Sequence, residues 1–374
     1  MNQRQLRILE KTLTVPTAPF AEYPAIEYVK AFCAEHKGVT LLPDSAGNLL
    51  VRVRKGRRRV ARPPCITAHL DHPGFVAHRM VSKGKLLAHW RGGVLVEYFA
   101  GERVCFYVGD SKVRGRIIST KTTGSGAGRR VDVATVKVPR DVPAGSIGMW
   151  DLPDPRIRGD RIYARACDDM AGVASLLCCV DKLARGKESC DAYFLFTRAE
   201  EVGFVGAMAA ADTGTIPKQC YVVCTETSSE LPHARMGDGP VLRVGDRAST
   251  FTSEVTGFCG RVATELGKRS KTFKFQRRLM DGGMCEATAY CMAGCESTCI
   301  CLSLGNYHNM DKKRTKIAPE YIDLNDFDSL VRWFVALGRT PHRYTGRDEA
   351  LSKRLDGVRK KYRKLLRSSV GSPG

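Results

Sequence analysis

The chain has 374 residues, 43% hydrophobic and 26% charged, which is enough for a substantial core and for one to three globular domains. No run of about 18 apolar residues occurs, so no membrane-spanning helix is expected; the start, Met1 to Arg7, lacks the apolar core of a secretory leader, so a cytoplasmic protein is expected. Lys and Arg number 60 against 39 Asp and Glu, a net charge of +21, which implies attraction to anionic partners or surfaces without specifying nucleic acid.

In chain order, Gln3 to Leu13 reads as a short helix broken by Pro16 and Pro19. A second helix, Ala25 to His36, turns Ile26, Val29, Ala31, Phe32 and Cys33 toward a core. Asp44 to Asn48 is a turn by composition, and Leu49 to Val53 follows as a strand. Arg52, Arg54, Lys55, Arg57, Arg58, Arg59 and Arg62 form a basic patch. No aromatics interleave there to stack bases, so it reads as a solvated loop.

From about Pro73 to Arg161 the pattern changes to short β-branched runs separated by Gly: Val94 to Val96, Arg103 to Val108, Arg116 to Ile118 and Val131 to Val138. This is a small all-β insertion. The Gly-rich stretch Thr122 to Gly128 has no strand and helix flanking it, so it reads as a loop rather than a phosphate cradle. The α/β pattern resumes at Tyr163, with helix Met170 to Arg185, strand Ala192 to Phe196, helix Gly206 to Ala211 and strand Cys220 to Thr225. His233 and Asp246 are expected in loops, and helix Asp326 to Leu337 closes this region. In the last segment Leu351, Leu355, Val358, Tyr362 and Leu365 form an a/d stripe, with Lys and Arg on the other faces. A helix packed on its own body is the favoured reading, and a docking helix for a partner or an acidic surface is the alternative.

The chain holds 15 cysteines, several inside apolar runs such as Cys178–Cys179, which suits buried thiols in a reducing compartment. Cys285, Cys291, Cys295, Cys299 and Cys301 cluster in sequence, but no Cys-x-x-Cys pair occurs among them. Gly294 separates a helical segment from a strand, so these thiols are expected to scatter and to be structural.

Four stretches carry chemistry. Tyr193 to Phe196 is an apolar run of buried-strand length, and Glu200 and Glu201 follow where it ends. Two neighbouring carboxylates repel unless a cation or a shared proton separates their roles. Cys65 to His72 delivers His69, with Asp71 two residues on; such a carboxylate can hold the far nitrogen of a metal-bound imidazole. Asp168 sits at a strand-to-helix junction, where it could bridge two cations, and Leu302 to Asn309 is a strand end that carries His308. His, Asp, Glu-Glu and His, each closing an apolar run, make the ligand set of a two-metal hydrolase. Neither His-Glu-x-x-His nor Gly-x-Ser-x-Gly occurs, which removes support for those hydrolase classes.

With these residues the chain resembles the co-catalytic di-metal aminopeptidases of the tetrahedral and glutamyl aminopeptidase group, over roughly residues 10 to 340. Its motifs read Ala68-His69-Leu70-Asp71, Asp168-Asp169-Met170-Ala171-Gly172, Glu200-Glu201-Val202-Gly203, Glu226 and His308. It departs from the family pattern at Glu226, where Asp is usual, at Met170, where Arg is usual, at Asn306 before the last His, and at Met284 to Ala287 in place of Gly-Thr-Asp-Ala.

The resemblance implies an α/β fold, a mixed sheet flanked by helices as in zinc peptidases, with an inserted small β domain. Residues 1–72 and 162–342 would form the catalytic domain, 73–161 the insertion, serving oligomerisation, and 343–374 a basic helical tail. It implies a cytoplasmic metallo-aminopeptidase that releases N-terminal residues from a peptide substrate. One divalent cation would be held by His69, Asp168 and Glu226 and the other by Asp168, Glu201 and His308, with Glu200 as general base. Zinc fits the mixed donors, and cobalt or manganese would also fit. A homo-oligomer and weak polyanion binding by the basic surface are the expected associations. The alternatives are a di-metal carboxypeptidase or deacylase on the same ligands, and a catalytically impaired binding protein that uses the basic surface.

Overall fold

The computed structural model describes residues 1–56, 60–339, 342–346 and 349–371. Arg57, Arg58 and Arg59 of the basic patch, and positions 347–348 and 372–374 of the tail, lie outside the described residues.

The chain opens with helices α1 (Gln3–Thr12) and α2 (Tyr23–Ala34). Asn2 starts α1 with a reciprocal cap: its side chain accepts from Gln5 N at 2.9 Å, and the Gln5 side chain accepts from Asn2 N at 3.1 Å. Strands β1 (Val39–Pro43) and β2 (Leu49–Lys55) form a hairpin, and β3 (Pro64–His69) follows. The hairpin turn closes on Asp44, whose carboxylate accepts from the backbone N–H groups of Ala46 and Asn48.

Six strands then close a barrel: β4 (Gly74–Ser82), β5 (Lys85–Arg91), β6 (Arg103–Val108), β7 (Ser111–Thr123), β8 (Arg130–Lys137) and β9 (Ile147–Trp150). Their inward side chains meet in an aromatic knot. The Phe75 ring lies 4.6 Å from Trp90 and 5.2 Å from Trp150, and Phe99 lies 5.0 Å from Trp90.

Past β10 (Arg156–Arg158) and β11 (Arg161–Ala164) the chain alternates helix and strand. It runs through α3 (Met170–Arg185), β12 (Cys190–Thr197), α4 (Val205–Asp212), β13 (Tyr221–Ser229), β14 (Val241–Asp246), α5 (Ser253–Arg269), β15 (Gln276–Met280), α6 (Glu286–Met292) and β16 (Ser297–Leu304). After the strand Glu320–Asp323 come α7 (Leu324–Gly338) and α8 (Glu349–Ser368).

The main sheet is mixed and eight-stranded, in the order β1-β2-β12-β3-β13-β16-β14-β15. Its centre, β12-β3-β13-β16, is parallel. These strands are covered on both faces, which is why they read as continuous apolar runs. Ile66, Phe194, Val223 and Ile300 face α1, α3, α5 and α7; Cys65, Leu195, Cys224 and Cys299 face α4 and α6. Helix α3 is buried at 13 of its 16 residues. Its Ala, Gly and Ser positions leave room for neighbours on every side, so it is apolar nearly all round rather than striped.

Three local expectations are corrected. Val94 to Val96 is no strand: Val96–Tyr98 is a 3-10 turn, because Val94, Tyr98 and Phe99 turn inward onto the barrel core instead of joining its ladder. Asp246 is the last residue of β14 rather than a loop residue. The terminal helix is not packed on the body: Leu355, Val358, Tyr362 and Leu365 are 57%, 50%, 48% and 64% exposed. The last buried side chain among the described residues is Tyr344, whose ring packs 4.9 Å from Tyr221 and under the Arg62 guanidinium at 4.7 Å.

Removing Phe99 from the aromatic knot by Phe99→Ala should therefore cost about 3–5 kcal/mol. Ending the chain after residue 346 should leave the unfolding midpoint nearly unchanged. Thermal or denaturant melting of the two variants checks both, and a large loss from the truncation would show that α8 does contribute to packing.

Candidate functional site

The site lies at the carboxyl ends of the central parallel strands, where an open α/β sheet leaves a crevice. His69 ends β3, and its register partner on β12 is Thr197. Glu200 and Glu201 follow β12 through a tight backbone path in which Ala199, Gly203 and Phe204 take φ values of 53°, 112° and 59°. Left-handed Ala and Phe cost roughly 1–3 kcal/mol each and persist only when the surroundings hold them. Glu22 supplies part of that hold: its carboxylate accepts from Ala199 N at 3.0 Å and from Arg198 Nε at 2.9 Å. Glu226 lies on β13, Asp168 precedes α3, and His308 follows β16 with φ 53°.

These elements bring the acids and imidazoles together. His69 Nε2 is 3.4 Å from Asp168 Oδ1, 3.8 Å from Glu200 Oε2 and 4.0 Å from Glu226 Oε1. His308 Nε2 is 3.6 Å from Asp168 Oδ2 and 3.2 Å from Glu201 Oε2. Asp168 thus stands between the two imidazoles, with one carboxylate oxygen toward each. His69 Nε2, His308 Nε2, Asp168 Oδ1, Glu201 Oε1 and Glu226 Oε2 are buried without any hydrogen-bond partner. Buried polar atoms are almost always partnered, so five converging orphans fit a bound cation. His69, Asp168 and Glu201, and likewise His69, Glu200 and Glu226, offer donor atoms within 4.8 Å of one another.

The model of the M42 glutamyl aminopeptidase family matches residues 47–316, well over half of the chain. The chain belongs to the M42 family. As a member it is a hydrolase of the aminopeptidase class. A curated Acetivibrio thermocellus protein, whose name proposes an aminopeptidase, is 26% identical over 255 residues, 64% of this chain and 72% of that protein. The fold is shared with solved structures. An aminopeptidase from Desulfurococcus kamchatkensis superposes with a TM-score of 0.73 at 22% identity, over 90% of this chain and 94% of its own. The TET1 peptidase of Pyrococcus horikoshii, described as assembling into a tetrahedron or a large octahedral shell, gives a TM-score of 0.71 at 20% identity over 90% and 99%.

Around the M42 site a second layer of residues fixes the first. His69 Nδ1 donates to the main-chain carbonyl of Asp71 at 3.1 Å, while the Asp71 carboxylate stays 3.6 Å away. That carboxylate accepts instead from the backbone N–H groups of Glu200 and Glu201, both at 3.0 Å. Asp71 therefore sets the imidazole through its backbone and the Glu pair through its side chain. His308 Nδ1 donates to Gly93 O at 2.7 Å, so the β5–β6 connection of the barrel reaches into the site. Both imidazoles consequently present Nε2 inward.

Several supporting residues carry no spacing signal in the sequence. Glu320 accepts from the backbone of Cys167 and Asp168 at 2.7 and 3.0 Å and holds the loop before α3. Thr227 Oγ1 donates to Asp169 at 2.7 Å. His72 Nε2 donates to Asn309 Oδ1 at 3.0 Å. Each bridges elements far apart in the chain, and only the fold makes them neighbours.

Burial dominates the electrostatics of the cation-free site. Glu200 and Glu226 are pushed well above the ordinary carboxylate range, first by burial and then by neighbouring acids, with His69 opposing. His69 and His308 are raised against the cost of burial by the surrounding carboxylates. Glu286, beneath the site, is raised from 4.5 to about 7 by burial. A carboxyl raised in the fold stabilises below its unfolded value and loses that contribution as pH climbs through about 7. Glu286→Gln, measured by denaturant melting of the metal-free chain, should match the parent at pH 5. By pH 8 it should be more stable, on the order of 3 kcal/mol. An equal difference at both pH values would refute the buried-acid assignment.

Proposed function

We propose that this M42 chain is a two-cation aminopeptidase, in which His69, Asp168 and Glu226 would hold one divalent cation and Asp168, Glu201 and His308 the other. The observation that carries the reading is the set of orphaned donor atoms converging around Asp168. Mixed imidazole and carboxylate donors suit zinc, and cobalt or manganese would accept the same set. When bound, such cations lower the pKa of water and stabilise negative charge developing on a scissile carbonyl.

The chain's own residues would do the rest. Glu200 lies beside His69, 3.8 Å from its Nε2, where a carboxylate can take a proton from the attacking water and return it to the leaving amine. Asp71 fixes Glu200 and Glu201 through their backbones, so base and ligand keep distinct positions. Next to Glu226 a small cleft, lined in part by Ser228, Leu231, Met280, Met284 and Tyr307, would receive the side chain of the residue released. Glu226, longer than the usual Asp, would reach the cation from the strand interior of β13.

We assign residues 1–72 and 162–342 to catalysis, 73–161 to self-association and 343–374 to an appended tail. Support for assembly comes from the TET1 peptidase, whose shells are built on this fold. Fifteen unpaired cysteines support a reducing, cytoplasmic setting. No helix among the described residues is long and apolar enough to cross a membrane. The net charge of +21 would add only weak, salt-sensitive polyanion binding.

Glu200→Gln should lower kcat by roughly 10²–10⁴-fold on a free-amine peptide while elemental analysis finds its metal content unchanged. His308→Ala should lose metal. Metal loss in Glu200→Gln instead would mean that the roles of Glu200 and Glu201 are exchanged. Hydrolysis of N-blocked but not free-amine peptides would favour the deacylase reading. Sedimentation should show a homo-oligomer at micromolar chain concentration; a monomer throughout would refute the role given to the barrel.

A further inference from the structure

The cysteine run after α5 was expected to scatter, and in part it does: Cys295 joins the apolar cluster of α4, while Cys291 Sγ donates to Ser297 O at 3.8 Å. Two of its members do not. Cys285, immediately before α6, and Cys299, on β16, meet Cys224 of β13, and the three sulfurs lie within 4.8 Å of one another, all fully buried and unoxidised. The convergence is built into the sheet. Cys224 and Cys299 are direct register partners. The Cys285 backbone is fixed by Asp246, whose carboxylate accepts from Cys285 N at 3.1 Å and from Thr288 Oγ1 at 2.6 Å.

The fourth member of this group is a cation. Arg243 on β14 is the register partner of Cys299 on the side away from Cys224. It is 1% exposed. Its Nη1 donates to Ser228 Oγ at 3.0 Å and its Nη2 to Met280 O at 3.3 Å, while its Nε has no partner. No carboxylate among the described residues pairs with it, although a buried guanidinium ordinarily has one. Cys285, Cys299 and Cys301 act on it electrostatically, and after them the Glu226 carboxylate. A buried Arg with no ion-pair partner beside three thiols favours negative charge on those sulfurs.

We propose that Cys224, Cys285 and Cys299 form a second metal site, separate from the His and carboxylate centre, that takes a thiophilic divalent cation with zinc as the reference ion. Three sulfurs bound at about 2.3 Å to one ion stand about 4 Å apart, inside the spacing seen here. The ion takes all three sulfurs as thiolates, and the protons still on them leave on binding. A dication, three thiolates and the Arg243 guanidinium are then neutral together, so the buried unit carries no net charge. Soft sulfur donors separate this site from the hard and borderline donors around Asp168. Burial opposes ionisation of Cys285, but hydrogen bonds from Cys224 and Cys299 and the charge of Arg243 hold it well below the ordinary thiol range. The ion would tie α6 to β13 and β16, bracing the wall of the cleft that carries Arg243, Met280 and Met284.

Cobalt tests this, because sulfur ligands give it an intense near-ultraviolet charge-transfer band that imidazole and carboxylate ligands do not. The full-length, metal-free protein is titrated anaerobically with Co²⁺. The expected result is a band that saturates at one ion per chain, is displaced by Zn²⁺, and disappears in Cys285→Ser and in Cys299→Ser. The same band should persist in His69→Ala, which damages the other centre, so a failure of that centre would be told apart from a failure here. Circular dichroism reports whether each variant is folded; if the Ser variants unfold, the parent band alone decides, since no other centre among the described residues offers three sulfurs. Absence of the band with three free thiols, its survival in Cys285→Ser, or a disulfide between any two of these cysteines in the protein as isolated would each overturn the proposal.

Discussion

Buried negative charge is the constraint on which the rest of the structure depends. Asp71, Asp168, Asp169, Glu200, Glu201 and Glu226 gather where β3, β12 and β13 end. The only side-chain cations within 4.0 Å of them, among the described residues, are His69 and His308. Removing so many carboxylates from water is costly unless they are paired or coordinate an ion. Two of the six are settled locally: Asp71 accepts from two backbone N–H groups, and burial pushes Asp169, which accepts from Thr227, well above the ordinary carboxylate range, so that it carries its own proton. The remaining four are those to which the account gives cations or a proton to carry.

The scaffold is arranged to hold that charge in place. Asp44, Asn48 and Glu22 lie outside the cluster, yet they set the path on which Glu200 and Glu201 ride. Asn48 Oδ1 accepts from Arg198 N at 3.1 Å, and Glu22 holds Ala199 in its left-handed conformation. At Gly206 a Cβ would sit 2.3 Å from Arg198 O, so only Gly lets α4 begin where it does. The barrel is not a passive insertion, because its Gly93 carbonyl fixes the His308 ring. A rearrangement of the barrel would therefore be felt at the site without touching any carboxylate.

Much of this was legible in the sequence, and the reasons are physical. Strands β3, β12 and β13 are buried on both faces, so each appears as an apolar run, and the chemistry stands at its end, as at His69 and at Glu200 and Glu201. Such runs need no partner to be recognised. What stayed hidden depends on partners. The Asp71 side chain sits two residues from His69, which suggests it orients the ring, but the fold turns it to the Glu200 and Glu201 amides and leaves that task to its own carbonyl. The strand expected at Val94 has the right composition but its side chains fill the barrel. The α8 stripe has the right spacing for packing, yet Leu355, Val358, Tyr362 and Leu365 stay about half exposed or more. Cys285 and Cys299 looked scattered because their third partner, Cys224, lies some sixty residues away in sequence on a neighbouring strand.

The central claim is that the converging orphan atoms around Asp168 hold two cations. Crystals grown with zinc and measured on either side of the zinc absorption edge test it most directly. The account predicts two anomalous peaks at the strand ends, one bounded by His69, Asp168 and Glu226 and the other by Asp168, Glu201 and His308. A map with no peak beside Asp168, or with a single peak that leaves His308 uncoordinated, would contradict it.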